Sequence, residues 1–163
     1  MENQDLLLKE AELAYAAGIL DGEGCIHIHN NNIKSKKSTQ NFELKVHVSN
    51  TDRKMIDFLK QKFNGNITFR KKRTKSRLDS YKWYLCGKRA EDFLRVIFPY
   101  LITKREKAVL ALKFRKTFET NYIGKGKIPT DVLEKRRKLK LKIQDLTRTR
   151  KSGYRRNYAS PRS

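Results

Sequence analysis

Residues 13–24 read LAYAAGILDGEG and end in two carboxylates two positions apart, Asp21 and Glu23, each followed by glycine. Leu13, Ala14, Ala17, Gly18 and Leu20 recur at helical spacing, which predicts a helix over residues 10–21. Acids at the C-terminal end of a helix meet the partial negative charge of its last carbonyls, at a cost of roughly 0.3–1 kcal/mol each. Lys or Arg would be the local choice, and the chain has 39 of them. A local rule broken without evident compensation points to a site. Two carboxylates and the freed carbonyls of a helix end form an all-oxygen donor set, the kind that Mg²⁺ takes. Beside a polyanion that set suggests metal-assisted phosphodiester hydrolysis. The plainer alternative is a C-cap, with Gly22 or Gly24 in the left-handed conformation and the acids facing water. The spacing alone leaves both open.

The charge balance says what such a site would act on. The chain has 163 residues, 39 basic and 17 acidic, for a net charge of +22. A surface this positive repels itself and makes sense beside a polyanion, nucleic acid first and an anionic membrane surface second. The excess is uneven. Residues 134–163 hold twelve basic and two acidic side chains, and residues 69–77, FRKKRTKSR, form a second basic run. With 37% hydrophobic residues the chain can bury a core, which excludes a wholly disordered basic tail. No apolar run reaches membrane-spanning length, and the acidic start, MENQDLLLKEAEL, lacks the apolar region of a signal peptide. The expectation is a protein that is not secreted and has no membrane partner. Two cysteines, Cys25 and Cys86, supply neither a disulfide framework nor a four-ligand zinc site by themselves, so a reducing compartment is expected.

The elements that position the acids follow from periodicity. Ile26 and Ile28 alternate with Cys25, His27 and His29, a half-buried strand. Residues 30–40 are polar and read as a hairpin tip. Phe42, Leu44, Val46 and Val48 alternate with Glu43, Lys45, His47 and Ser49 as a second strand. Asn50 or Thr51 can cap a helix running to about Phe63. After the Asn64-Gly65-Asn66 turn, Ile67 and Phe69 mark a third strand, and Tyr81, Trp83 and Leu85 a fourth. A short helix over residues 89–98 stops at Pro99, and Thr103 to Glu106 has the spacing of a capping box opening a helix with Val109, Leu110, Leu112, Phe114 and Phe118. Gly124, Gly126 and Pro129 mark a linker. A last basic helix carries a narrow stripe of Val132, Leu139, Ile143 and Leu146, with order expected to fade beyond about Thr147.

The order is helix, two strands, helix, two strands, helix, then a basic helix: an α+β fold with one four-stranded antiparallel sheet and helices on one face. Residues 1–122 form the core domain and residues 123–163 the linker and basic C-terminal helix or tail. The open sheet face carries His27, His29, Lys45, His47, Thr68, Arg70, Lys82 and Tyr84, a polar surface suited to base edges in a DNA major groove. A one-residue slip of the fourth strand would show Tyr81 and Trp83 there instead. Cys25, His27 and His29 are three residues of metal-ligating type, but their spacing of about 7 Å along one strand is too wide for shared zinc and favours DNA-facing polar groups. Ala14, Ala17 and Gly18 put small residues on one helix face, which allows the same helix of a second subunit to approach closely.

LAYAAGILDGEG resembles the signature of the LAGLIDADG homing endonucleases in its -GxxDGEG- form, and the element order and the segment PYLITKREKAVLAL, residues 99–112, look like that family too. The likeness covers roughly residues 10–120. It implies the αββαββα fold of that family and, since the motif occurs once, a homodimer whose motif helices pack together. It further implies an intron-encoded enzyme that makes a double-strand break in a long, pseudo-palindromic DNA target, using two or more Mg²⁺ near the dimer axis. Residue by residue, it gives Glu23 as the metal-binding acid, the Gly22 carbonyl as a further metal contact and Asp21 as a supporting hydrogen-bonding acid. Asn50 would position water, and Lys54 and Lys104 would polarise it or offset developing phosphorane charge. Base or phosphate contacts are expected from the eight sheet-face residues with Asn30, Asn41 and Lys72, and from Arg136, Lys140, Arg148 and Arg150 in the tail. Alternatives on the same fold are an intron RNA-binding maturase and a non-catalytic DNA-binding regulator, which has no need of Glu23. The compartment implied is the one holding the host gene: prokaryotic cytoplasm, organelle or nucleus.

Overall fold

A computed structural model of the chain describes residues 2–31, 41–71, 78–118 and 128–157, with side chains over 9–30, 42–71, 78–118 and 128–148. Helix α1 (Glu2–Glu23) leads into hairpin β1 (Gly24–Asn31) and β2 (Asn41–Asn50), then α2 (Arg53–Phe63). The second hairpin, β3 (Asn66–Arg70) and β4 (Ser80–Cys86), is followed by α3 (Gly87–Ile97), a 3₁₀ turn (Phe98–Tyr100), α4 (Arg105–Lys116) and α5 (Thr130–Asn157). All strand pairs are antiparallel and the order is β1-β2-β4-β3. The α+β architecture with helices on one face of one sheet is therefore as expected.

Alternation puts Ile26, Ile28, Phe42, Leu44, Val46, Val48, Trp83 and Leu85 on the covered face, all buried. Trp83 is fully buried with its indole N–H on the Asn64 carbonyl at 2.6 Å, so the fourth strand has the expected register and not the slipped one. Gly65 sits at φ +95° with that indole against its backbone, which both the conformation and the space require of glycine.

Helix boundaries differ where capping chemistry was misassigned. Asp52, not Asn50 or Thr51, caps α2: its carboxylate accepts from Lys54 N at 2.8 Å, while Asn50 Oδ1 accepts from Asp52 N at 2.8 Å. The capping box at Thr103 and Glu106 does not form; α4 begins at Arg105 with no side-chain cap of its own. Its buried side is Lys107, Ala108, Ala111 and Phe114, with Val109, Leu110 and Leu112 only half-buried. Helix α5 runs on to Asn157, past the expected limit near Thr147, and is no loose appendage: Leu139 and Ile143 join the common core. The linker expected around Gly124 and Gly126 lies outside the described residues.

Candidate functional site

Asp21 and Glu23 share the last turn of α1 but have opposite environments. Asp21 is half-buried and turned onto the entrance of α4. Its Oδ2 accepts from Ile102 N at 2.8 Å and Thr103 N at 3.0 Å, and its Oδ1 accepts from Lys104 N at 2.8 Å. Thr103 Oγ1 and the buried Lys104 ammonium both donate to the Asp21 carbonyl. Burial pushes the carboxyl pKa up, but the N–H donors of Ile102, Thr103 and Lys104 outweigh it and hold it below its ordinary value. An acid that is disfavoured at one helix end is thus compensated by three backbone N–H groups that lead into the next. That compensation joins residues about 80 positions apart and could not be read from the segment.

Glu23 is exposed as the last residue of α1. Gly22 is exposed, and a Cβ there would meet nothing within 4 Å. Neither Gly22 nor Gly24 has positive φ, so the left-handed C-cap is excluded. Gly24 is glycine for another reason: a Cβ would lie 2.3 Å from Leu20 Cδ1 and 2.7 Å from Leu20 O, because β1 leaves directly across the last helical turn. The Gly22 carbonyl belongs to that turn, whose carbonyls lack partners within the helix. Together with the Glu23 carboxylate it makes a solvent-facing oxygen donor set that fits Mg²⁺.

Asn50 ends β2, two residues beyond the Val48 that pairs with Gly24, and its Oδ1 accepts from Asp52 N at 2.8 Å. Lys104 is tied to Asp21 directly. Lys54 is exposed in the first turn of α2, and no described contact joins it to Glu23.

The uncovered sheet face forms a shallow concave site lined by His27, His29, Lys45, His47, Thr68, Arg70, Lys82 and Tyr84, the eight residues that strand alternation placed there. Burial, with Lys82, His29 and Lys45 nearby, lowers the His27 pKa to about 4. Burial, with Lys82, His27 and Arg70, does the same for His47. Both imidazoles are therefore neutral near pH 7 and can each donate and accept. Lys82 is itself pulled down by burial and by Arg70. Asn30 is half-buried on β1 with an unpartnered Oδ1. Asn41 opens β2, its side chain outside the description, and Lys72 lies outside the described residues.

Two placements were wrong. Arg136 is not on the surface: it is 2% exposed, with Nε on Thr117 Oγ1 at 2.9 Å, Nη2 on Thr117 O at 3.0 Å and its guanidinium 3.7 Å from the Phe118 ring centroid. It anchors α5 to the end of α4 and is unavailable to phosphate. Lys140 is half-buried, Arg148 is exposed, and the Arg150 side chain lies outside the described set. Ala17 is also inside, at 0% exposure, because Leu13, Ala16, Ala17 and Leu20 share the covered side of α1. The small-residue face that stays open is Ala14, Gly18 and Gly22, each four residues on from the last, flanked by Tyr15 at 53% exposure. Ile102, 83% exposed, stands beside the Asp21 carboxylate that its own N–H binds.

The fold is shared with known proteins. Residues 16–118 match the family model described as LAGLIDADG endonuclease. The structure is similar to that of the homing endonuclease I-CvuI in complex with the I-CreI target in 2 mM Mg, DNA not cleaved: 20% identity, TM-score 0.68, over 84% of this chain and 82% of that one. It is similar to an archaeal intron-encoded homing endonuclease complexed with DNA, at 11% identity and TM-score 0.67 over 85% of each chain. It also matches half of I-SmaMI bound to cleaved DNA, at 20% identity and TM-score 0.62 over 93% of this chain and 50% of that one. No curated protein sequence is a significant match. With its motif helix, four-stranded sheet and matched span, this chain belongs to the LAGLIDADG endonuclease family.

Proposed function

We propose that the chain is an intron-encoded homing endonuclease that works as a homodimer and makes a double-strand break in a long, pseudo-palindromic DNA target. One observation carries the reading: at the end of α1 the structure ties down Asp21 and leaves Glu23 free, at the rim of a sheet face built from neutral imidazoles, Lys and Arg. A regulator that only binds DNA has no use for an exposed, unpaired acid at this helix end. Glu23 and the Gly22 carbonyl would hold Mg²⁺, which when bound activates water and offsets charge on the phosphate. Lys104, buried against the Asp21 carbonyl, fixes the helix end, and Asn50, at the end of β2, would orient water. Lys45, Arg70 and Lys82 draw in the duplex, with His27, His47 and Tyr84 donating to and accepting from base edges. The open Ala14–Gly18–Gly22 face, flanked by Tyr15, would let the two α1 helices pack closely, which brings two copies of Glu23 to one duplex.

The test is cleavage, with Mg²⁺, of a plasmid carrying the joined DNA flanks of this reading frame. Wild type should linearise it, and Glu23→Gln should bind the same duplex in a gel shift without cutting. No cutting by wild type, or undiminished cutting by Glu23→Gln, refutes the mechanism. A DNA-bound mass of one chain refutes the shared site.

A further inference from the structure

Along β1 alone, Cys25, His27 and His29 are too widely spaced to share a zinc ion. Pairing with β2 changes the set. Cys25 stands opposite His47 in the register, and His27 is the next residue on that face of β1. Cys25 Sγ lies 3.9 Å from His27 Nδ1, the His27 and His47 rings are 5.2 Å apart at their centroids, and one ligand atom from each of the three residues lies within 4.8 Å of the others. His29, whose ring is 6.5 Å from that of His27, is left out. Ligand atoms around a tetrahedral zinc are about 3.3–3.6 Å apart, so the pair at 3.9 Å is nearly in place and His47 closes by side-chain rotation of about 1 Å. A second observation points to a ligand: His47 Nδ1 is buried with no hydrogen-bond partner among the described residues.

We infer that Cys25, His27 and His47 form a binding site for a borderline-soft divalent cation, Zn²⁺, on the floor of the sheet face, distinct from the Mg²⁺ donors at Glu23. The donors choose the metal: one thiolate and two imidazoles suit zinc and are poor ligands for Mg²⁺, whereas Glu23 and a carbonyl are the reverse. Three protein ligands on two rigid, paired strands leave a fourth position open to the groove for water. The positive charges of half-buried Lys82, of Lys45 and of Arg70 face the site, oppose the ion and moderate the affinity. On binding, the Cys25 proton goes to solvent. Occupation also withdraws His27 and His47 from base edges, so zinc and target DNA compete; this last step rests on the DNA-binding reading above.

The test separates the two. The full chain, without DNA, is titrated with Co²⁺ and then Zn²⁺. The expected result is one ion per chain, a near-ultraviolet thiolate-to-cobalt band, and its displacement by Zn²⁺. Cys25→Ser should abolish the band and Cys86→Ser should retain it, both with the parent's far-ultraviolet dichroism. Should Cys25→Ser misfold, His47→Asn replaces it and should weaken Zn²⁺ binding more than the roughly tenfold expected for loss of a mere supporting partner. No band, or a band that survives Cys25→Ser, overturns the site. In the second arm, Zn²⁺ at saturation should weaken binding of the candidate target duplex by wild type and not by Cys25→Ser. A zinc-loaded protein with unchanged affinity upholds the metal site but overturns the competition, and places the fault in the assignment of this face to DNA.

Discussion

Replacing Asp21 by Asn tests whether the helix end is held by charge. Three backbone N–H groups converge on the carboxylate at 2.8–3.0 Å, two on Oδ2 and one on Oδ1. An amide offers one acceptor oxygen and turns its NH₂ toward whichever donors the other oxygen served. Either orientation loses at least one bond and leaves the rest without the charge. A hydrogen bond to a charged group contributes about 1.5–3 kcal/mol, and a neutral one about 1 kcal/mol. The dry-site loss is therefore about 3–4 kcal/mol. Water reaches a half-buried carboxylate, which brings the expected loss to about 2 kcal/mol. For a chain of this size that lowers Tm by about 4–8 °C. Its pH dependence identifies the cause. The folded pKa lies below the ordinary 3.8, so the stabilisation is complete above that value and is lost as pH falls through the folded one. Urea unfolding of wild type and Asp21→Asn should show the full gap at pH 7 and a narrowing gap below about pH 3.8. A difference under about 0.5 kcal/mol, or a gap that stays constant into the acid range, would mean that the clamp does not depend on the carboxylate charge.

Gly24→Ala drives a Cβ into Leu20 at 2.3 Å and should cost about 1–3 kcal/mol in a melting experiment; an unchanged Tm would show that β1 can leave the helix by another path. Arg136→Ala should lower stability by about 2–4 kcal/mol and leave the salt slope of DNA binding as it was, whereas Arg70→Ala should flatten that slope by about one counterion, which a salt titration of Kd resolves. For metal-free protein, His27 and His47 fold with pKa values of about 4 against an ordinary 6.5, so their stabilisation is complete above 6.5 and is lost as pH falls toward 4. Urea midpoints should decline over that window, less steeply in a His27→Asn/His47→Asn double variant.

What was legible in the chain was whatever repeats locally. Alternation over Ile26 to Ile28, Phe42 to Val48, Ile67 to Phe69 and Tyr81 to Leu85 placed four strands and all eight residues of the open face, because a period of two leaves no freedom once one side is apolar. What was not legible depended on partners distant in sequence. Thr103 and Glu106 have the spacing of a capping box, but the Thr103 N–H that Glu106 would serve is taken by Asp21, and the Thr103 hydroxyl donates to the Asp21 carbonyl. Arg136 looks like any other charge in a basic tail until Thr117 and Phe118 are set beside it. Ala14 and Ala17 are both small, and only the position of the core shows that one is open and the other sealed. Cys25 and His27 gain a third ligand through strand pairing, which spacing along a single strand cannot reveal.

The motif's two acids illustrate why charge type alone underdetermines a site. Both break the same rule for a helix C-terminus, and both invite the same reading as ligands. The structure divides them by consuming one. Asp21 spends its lone pairs on Ile102, Thr103 and Lys104, so it binds α4 to the last turn of α1 with its charge already satisfied. Glu23, one peptide past Gly22, makes no described hydrogen bond and points its carboxylate to solvent from the helical turn that Asp21 ties to the start of α4. A carboxylate that is both unsatisfied and well positioned is what a cation at a phosphodiester requires, and it arises here because its neighbour has been immobilised. The glycines follow from the same division: Gly24 lets the strand leave across Leu20, and Gly22 keeps the space around its carbonyl open. In a chain of net charge +22, affinity for a polyanion needs no special arrangement; directing one negative group at it does.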